Sequence, residues 1–311
     1  MIPAELLAQL SSAYRVGEPI GSGSYGLVFR GESLADGEPV AIKTFIQQDA
    51  QQNSLNELKL LFRLRHPHVI RVLDLFYARK SYCLVFEYME SGDLRERMQE
   101  PLLEPEALVI AAQLADGLAY IHGQGIIHRD LKPENVLLRR EGETMRCKLA
   151  DFNLSKFTRT ALTASNRGSP LYMAPEQFYD RYDGRADLYA LGVMLYEMLR
   201  GHPPFEGNLQ ELMRAHLQQA PDLDAWPAGH GVRVLLAELL AKDPEQRPAT
   251  AEQLRQRLRD LLAAHHSGLL QSAAPEAGRP AGAFYLKYLD VPLRRYCYYV
   301  LPEQGTEEEG L

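Results

Sequence analysis

The eight residues His128-Arg129-Asp130-Leu131-Lys132-Pro133-Glu134-Asn135 constrain this chain more than any other run. They bring a carboxylate, an ammonium and a carboxamide within two turns of backbone, and Asp151-Phe152 adds a second acid beside an apolar anchor. Such an inventory suits phosphoryl transfer, which needs a carboxylate to orient a hydroxyl, oxygen ligands for a divalent metal and a cation for the moving charge. A fold that uses it must gather Lys43, Asp130, Asn135 and Asp151 in one cleft.

Size and composition set the frame. The 311 residues are enough for two lobes and a tail, and 46% apolar content is enough for a core. No apolar run approaches the length of about 18 residues that suggests a membrane span. The start, Met1-Ile2-Pro3-Ala4-Glu5, lacks the regions of a signal peptide. Cys83, Cys147 and Cys297 are too few, and odd in number, for a disulfide framework, so a reducing, cytoplasmic setting is expected. A net charge of −7 argues against nucleic acid as a partner.

Upstream, Gly21-Ser22-Gly23-Ser24-Tyr25-Gly26-Leu27-Val28 follows the apolar approach Tyr14–Ile20 and runs into a strand-like Val28-Phe29-Arg30. Glycines let backbone amides approach phosphate oxygens closely. A dinucleotide-binding loop opens into a helix; here a second strand follows, which predicts a hairpin over nucleotide. Val40-Ala41-Ile42-Lys43 reads as a strand, and apolar residues at 55, 58, 60, 61, 62 and 64 predict a helix carrying Glu57. Tyr82–Met89 reads as a buried strand leading to a connection. Asp93 precedes Leu94-Arg95-Glu96-Arg97-Met98 as an N-cap candidate, and Glu106–His122 reads as a helix stopped at Gly123.

Taken in order, these motifs resemble the eukaryotic-type (Hanks-type) serine/threonine protein kinases over roughly residues 14–262, with a style close to the bacterial members. The resemblance implies an α+β bilobal fold: a small antiparallel N-lobe sheet with one main helix, and a larger, mostly helical C-lobe. It implies an N-terminal extension at 1–13 and a kinase domain at 14–265, divided into an N-lobe at about 14–87, a hinge at 87–92 and a C-lobe at 93–265. A linker at 266–283 and an aromatic segment with an acidic tail at 284–311 complete the expectation.

The same resemblance assigns roles. Asp130 orients the acceptor hydroxyl, Lys132 contacts the γ-phosphate, and Lys43, paired with Glu57, holds the α- and β-phosphates of ATP. Asn135 and Asp151 bind Mg²⁺, with Mn²⁺ as the alternative ion. Gly21, Ser22, Gly23, Gly26, Val28, Ala41, Phe86, Glu87, Met89, Asp93 and Leu137 line the nucleotide site, with Phe86 behind the adenine and the backbone of Glu87 and Met89 along its edge. His128 is an anchor rather than a base. Ser169 supports Asp130 and Lys132, Glu176 pairs with Arg247, and Asp187 holds the catalytic-loop backbone. Ser165 and then Thr163 are the candidate regulatory phosphosites, served by Arg129 and Lys156. Asp93, Glu134 and Glu197 fall where some members receive basic residues of the substrate.

The chain departs from the family at Asp151-Phe152-Asn153, where a glycine is usual in third place. Asparagine tolerates positive φ better than most residues, so an active enzyme remains the expectation. The alternative is a nucleotide-binding pseudokinase scaffold, which usually lacks Lys43, Asp130 or Asp151; this chain has all three. Kinases of small molecules usually lack the Ala174-Pro175-Glu176 segment found here. A protein Ser/Thr hydroxyl is the expected acceptor. Residues 284–300 either dock on the kinase lobe or bind a partner or second protomer.

Overall fold

The computed structural model describes residues 2–23, 26–46, 61–78, 81–142, 144–151, 169–179, 182–270, 285–290 and 295–300. The chain divides into two compact units, Met1–Glu90 and a second comprising Ser91–Phe152 with the chain from Ala164. The architecture is α+β and bilobal, with an antiparallel sheet in the first unit and a mostly helical second unit. Glu57, Asn153, Lys156, Thr163 and Ser165 lie outside the described residues.

The first unit holds α1 (Ala4–Leu10) and strands β1 (Tyr14–Gly23), β2 (Gly26–Ser33), β3 (Pro39–Ile46), β4 (Val72–Ala78) and β5 (Ser81–Glu87). The five strands form one sheet in the order β1-β2-β3-β5-β4, with antiparallel neighbours throughout. β5 lies inside the sheet, between β3 and β4, and its Tyr82-Cys83-Leu84-Val85-Phe86 offers buried side chains to both faces. Between β2 and β3, Gly37 takes φ +76° and the Asp36 carboxylate accepts the Glu38 N–H at 3.2 Å, a turn chemistry that only short polar side chains and glycine supply.

α1 is seven residues long, too short to persist alone. Burial stabilises it: Leu6 and Leu10, one turn apart, are fully buried, and with Ile2 they pack on Val40, Ile42, Cys83 and Val85. At roughly 1.5–3 kcal/mol per buried leucine, that contact outweighs the weak helix propensity. The residues before Tyr14, expected as an extension, thus close one face of the sheet.

The second unit opens with α2 (Leu94–Arg97) and α3 (Glu104–Gly123), followed by the hairpin β6 (Val136–Glu141) and β7 (Thr144–Leu149). Then come α4 (Arg185–Arg200), α5 (Leu209–Gln218), α6 (Gly231–Leu239) and α7 (Ala251–Leu270). α4 is buried from Ala186 to Met198, the pattern of a helix surrounded by core. α3 includes Gly123. Its stop is Gly125, which takes φ +73°, with Gly125 N–H on the His122 carbonyl and Ile126 N–H on that of Ile121. α7 runs on to Leu270, past the 265 limit expected; Gly268 costs about 1 kcal/mol in a helix and does not end it. The last two strands, β8 (Tyr285–Asp290) and β9 (Arg295–Val300), pair antiparallel, and their backbones run beside α3 and β7 respectively. Among the described residues no helix is long and apolar enough to cross a membrane.

Candidate active site

In the second unit, the loop after α3 is held from beneath by one buried acid. Asp187, 1% exposed in the first turn of α4, accepts the backbone N–H of His128 at 2.8 Å and of Arg129 at 2.9 Å. His122 Nε2 lies 2.8 Å from the same carboxylate. Arg129 takes φ +72°, a left-handed conformation that costs a non-glycine residue about 1–2 kcal/mol. The bonds to Asp187 hold it there. Gln177 adds a second tie: its amide bridges the Arg129 carbonyl and the Ala174 N–H. These contacts aim the next residue, Asp130.

Asp130 is a quarter exposed and its two oxygens have different neighbours. Oδ1 accepts the main-chain N–H of Ser169 at 3.0 Å. Oδ2 lies 3.1 Å from Asn135 Nδ2 and 3.6 Å from Lys132 Nζ. Asn135 Nδ2 also donates to the Asp130 carbonyl at 2.7 Å, so its amide orientation is fixed with Oδ1 as the acceptor end. Ser169 thus supports Asp130, as expected, through its backbone.

His128 is fully buried, and burial lowers its pKa, so the ring is neutral and Nε2 donates to the Ala150 carbonyl at 3.1 Å. Ala150 N–H in turn donates to the Asn135 carbonyl at 2.8 Å. The residue that follows, Asp151, sits at φ +57°. Left-handed backbone at two acidic-loop positions, Arg129 and Asp151, is strain held by the surrounding bonds. Asp130, Lys132 and Asn135 thus lie together, and the Asn135 carbonyl ties them to Ala150, the chain neighbour of Asp151.

Asp93 caps α2, accepting the Glu96 N–H at 2.9 Å, and burial raises its pKa. It pairs with Leu137 in an isolated bridge, and Ser91 N–H and Gly92 carbonyl bond across to Leu138. Two expected nucleotide-lining residues, Asp93 and Leu137, are thereby brought side by side.

In the first unit, register does the positioning. Ala41 pairs with Phe86, and Lys43 pairs with both Leu84 and Val28. Directly paired residues share a face, so Val28, Ala41, Lys43 and Phe86 all project from the face opposite α1. Lys43 is 5% exposed, with Nζ 5.6 Å from the Phe45 ring centroid. The glycine run lies at the β1–β2 connection, where Gly23 pairs with Gly26 and Gly21 with Val28. Gly26 has φ +152°, and a Cβ there would collide with the Thr44 carbonyl. Thr44 Oγ1 accepts the Leu27 N–H at 3.3 Å and donates to the Leu27 carbonyl at 3.1 Å. At the other end of β5, the Glu87 N–H donates to the Arg71 carbonyl, while its carboxylate accepts the Arg71 N–H.

Two of the three acids read as receivers of substrate arginine, Glu134 and Glu197 but not Asp93, have an internal partner. Arg95 bonds Glu134 at 2.9 Å and Glu197 at 2.7 Å, and it also contacts the Tyr172 hydroxyl. Burial first, and Glu197 second, raise the pKa of Tyr172, which stays protonated and donates to Glu197 at 2.7 Å. Sequence reasoning missed Arg95, Gln177 and Thr44. Of these only Thr44 carried a local signal, a hydroxyl next to Lys43 on a strand. The expected pair is present: Arg247 Nη1 and Nη2 meet Glu176 at 2.6 and 2.9 Å, with the guanidinium fully buried.

A two-lobed α+β chain with this acid, lysine and asparagine on one loop, and a buried strand lysine beside a glycine hairpin, defines a phosphotransferase of the protein-kinase class. Comparison with known proteins agrees: the protein kinase domain family matches residues 14–258. Serine/threonine-protein kinase pkn2 of Myxococcus xanthus is 36% identical over 291 residues, covering 88% of this chain and 34% of that protein. Serine/threonine-protein kinase PkaA of Streptomyces coelicolor is 34% identical over 273 residues, 80% of this chain and 50% of the relative. Serine/threonine-protein kinase 36 of Pongo abelii is 34% identical over 279 residues, 86% and 20% respectively. The chain belongs to the protein kinase family, and these relatives are serine/threonine kinases by name. The chain spans between a fifth and a half of the length of these three relatives.

Proposed function

We propose that this chain transfers the γ-phosphoryl group of ATP to serine and threonine hydroxyls of proteins. The acceptor oxygen bonds to the γ-phosphorus, the bond to the ADP oxygen breaks, and the hydroxyl proton goes toward Asp130. The observation that carries this reading is the Asp130 carboxylate, held on one oxygen by the Ser169 N–H and flanked on the other by Lys132 and Asn135. In this reading Lys132 meets the γ-phosphate. Lys43, with Glu57, meets the α- and β-phosphates. Gly21, Ser22, Gly23 and Gly26 lie over the phosphates, and Val28, Ala41, Phe86, Met89 and Leu137 enclose the base. The Glu87 N–H is engaged by Arg71, so adenine would meet the Glu87 carbonyl.

Asn135 Oδ1 and the Asp151 carboxylate fit a hard divalent cation, Mg²⁺ or in its place Mn²⁺. When bound, the ion neutralises charge on the phosphoryl oxygens. The residues here fix the amide and carboxylate that would receive it.

Phosphorylation of Ser165, or else Thr163, with Arg129 as a cation to receive the phosphate, is part of the proposal, as is a reducing, cytoplasmic setting. Cys83 and Cys147 are buried thiols whose pKa burial pushes up, to about 12 for Cys83. The pseudokinase reading has no support, since each charged residue of the transfer site is present. Because Arg95 neutralises Glu134 and Glu197, selection for basic residues at those acids is not favoured. The deciding test is ³²P transfer from ATP. The parent labels Ser or Thr, and Asp130→Ala falls by about 10²–10⁴-fold. Undiminished transfer by Asp130→Ala would overturn the reading.

A further inference from the structure

Around Arg95 the second unit builds a charged cluster that the transfer step does not use. Arg95 stands on α2, a third exposed, with its guanidinium between two carboxylates from distant parts of the chain. Nε donates to Glu134 at 2.9 Å, and Nη1 donates to Glu197 at 2.7 Å. Nη2 lies 3.5 Å from Glu197 Oε2 and also contacts the Tyr172 hydroxyl, which in turn donates to Glu197 at 2.7 Å. Glu197 is buried on α4 at 6% exposure, whereas Glu134, at 43%, faces water.

This cluster is bonded to both segments that hold Asp130. Glu134 belongs to the Pro133–Asn135 turn, and the next residue, Asn135, bonds the carbonyl and the carboxylate of Asp130. Tyr172 closes the Pro170–Tyr172 turn, and Ser169, just ahead of that turn, holds Asp130 Oδ1. A polypeptide that brings its hydroxyl to Asp130 lays the neighbouring residues along these two turns. Two carboxylates there, one of them shielded from water, make a receptor for a guanidinium, because charge-assisted bonds strengthen where water is excluded. The chain already supplies that guanidinium. An arginine or lysine from outside would have to displace Arg95 and leave a half-buried cation unpaired, a cost on the scale of the bonds gained.

We propose that Arg95 determines acceptor specificity: it is the chain's own occupant of a guanidinium site beside Asp130, and it directs the enzyme to serine and threonine segments with no basic residue at that place. The proposal rests on the reading of Asp130 given above and deepens it. Discrimination of this kind works by withholding a partner from the wrong ligand. Without Arg95, both carboxylates would face an incoming peptide uncompensated. A clamp of purely structural use would set the rate alone, by the same factor for every acceptor. A specificity role changes the ranking of acceptors, so the two roles part in one measurement.

The test uses the full chain with ATP and serine- or threonine-centred peptide arrays, in which each flanking position carries alanine, glutamate or arginine. The parent phosphorylates arginine and alanine peptides at rates within about twofold at every position, as a surface charge of little worth would give. Arg95→Ala is expected to favour arginine over alanine about tenfold or more where the vacated site lies, the scale of a charge-assisted bond regained. Adding Glu134→Gln to that variant brings the ratio back toward the parent's. Arg95→Gln, which keeps a polar side chain without the charge, gives the same change of ranking and serves where Arg95→Ala does not fold. A parent that already prefers arginine overturns the proposal whatever the variants do. So does a folded Arg95 variant whose rates fall by one common factor on every peptide, or do not change. Asp130→Ala in parallel separates the two readings: transfer retained there refutes the site itself, whereas an inactive Asp130→Ala beside an unaltered ranking in Arg95→Ala refutes only the role of Arg95.

Discussion

The two units hold their functional residues by different means. In the first, Lys43, Val28, Ala41 and Phe86 share a face because five strands are in register. The ladder that places Lys43 is distributed over many backbone bonds, and no single side chain decides it. In the second, Asp130 stands on a loop with a left-handed arginine before it, and individual side chains hold that loop: Asp187, Gln177, Asn135 and His128. A sheet positions by redundancy, whereas a loop positions by a few bonds from buried polar groups, each made once. The loop arrangement orients a carboxylate more sharply, and it concentrates the cost of error in single residues.

That contrast can be broken by mutation. The largest effect belongs to Arg247→Ala, which leaves Glu176 facing a void where a bidentate partner was. Removing one member of a buried pair costs about 3–5 kcal/mol, to be read from urea unfolding of the full chain. A loss under about 1 kcal/mol would place this pair with the weak surface pairs and weaken the contrast.

Acid should come next. His216 has a pKa of about 4 in the folded chain against 6.5 unfolded. The unfolded chain then binds the extra proton between those values, so stability falls as pH drops from 6.5 to 4. The contribution is at most about 3 kcal/mol. Thermal melts of the parent across that range should fall more steeply than those of His216→Gln, with parallel curves above neutrality. His128, buried and shifted the same way, keeps some slope in the variant.

The finest comparison pairs two supporting residues that touch no substrate. Asp187→Asn leaves one acceptor oxygen where there were two, so one of the His128 and Arg129 N–H groups loses its partner and faces a donor instead, and should lower kcat about 10²-fold, as a displaced reacting group does. Thr44→Val removes both bonds to Leu27 in the first unit, where the ladder remains, and should cost about 1 kcal/mol in stability with kcat within a few-fold. Equal losses of kcat in the two variants would erase the distinction between a ladder-held and a side-chain-held site.

Sequence carried much of this architecture because motifs that do chemistry are short and contiguous. Residues 128–135 stand as one loop in space, and the glycine run stands at a strand connection, as its strand-like flanks implied. Glu176 with Arg247, and Asp187 under the loop, were legible from their motif positions. What escaped was set by packing between distant segments. Arg95 reaches Glu134 and Glu197 across 39 and 102 residues, and no local pattern announces that two acids already have a cation. The same holds for His216 and Tyr189, 27 residues apart. The helix stop was displaced from Gly123 to Gly125 because two glycines compete there, and the one after the cap adopts the left-handed turn.

The seven-residue helix at the start bears on how this enzyme is best produced. A version trimmed to the matched family span would begin at Tyr14. It would lack Ile2, Leu6 and Leu10 and leave Val40, Ile42, Cys83 and Val85 facing water on one side of the sheet. A bare apolar face of that kind invites self-adhesion and attack by proteases during purification. The smallest well-behaved catalytic fragment therefore starts ahead of the signature that defines its family.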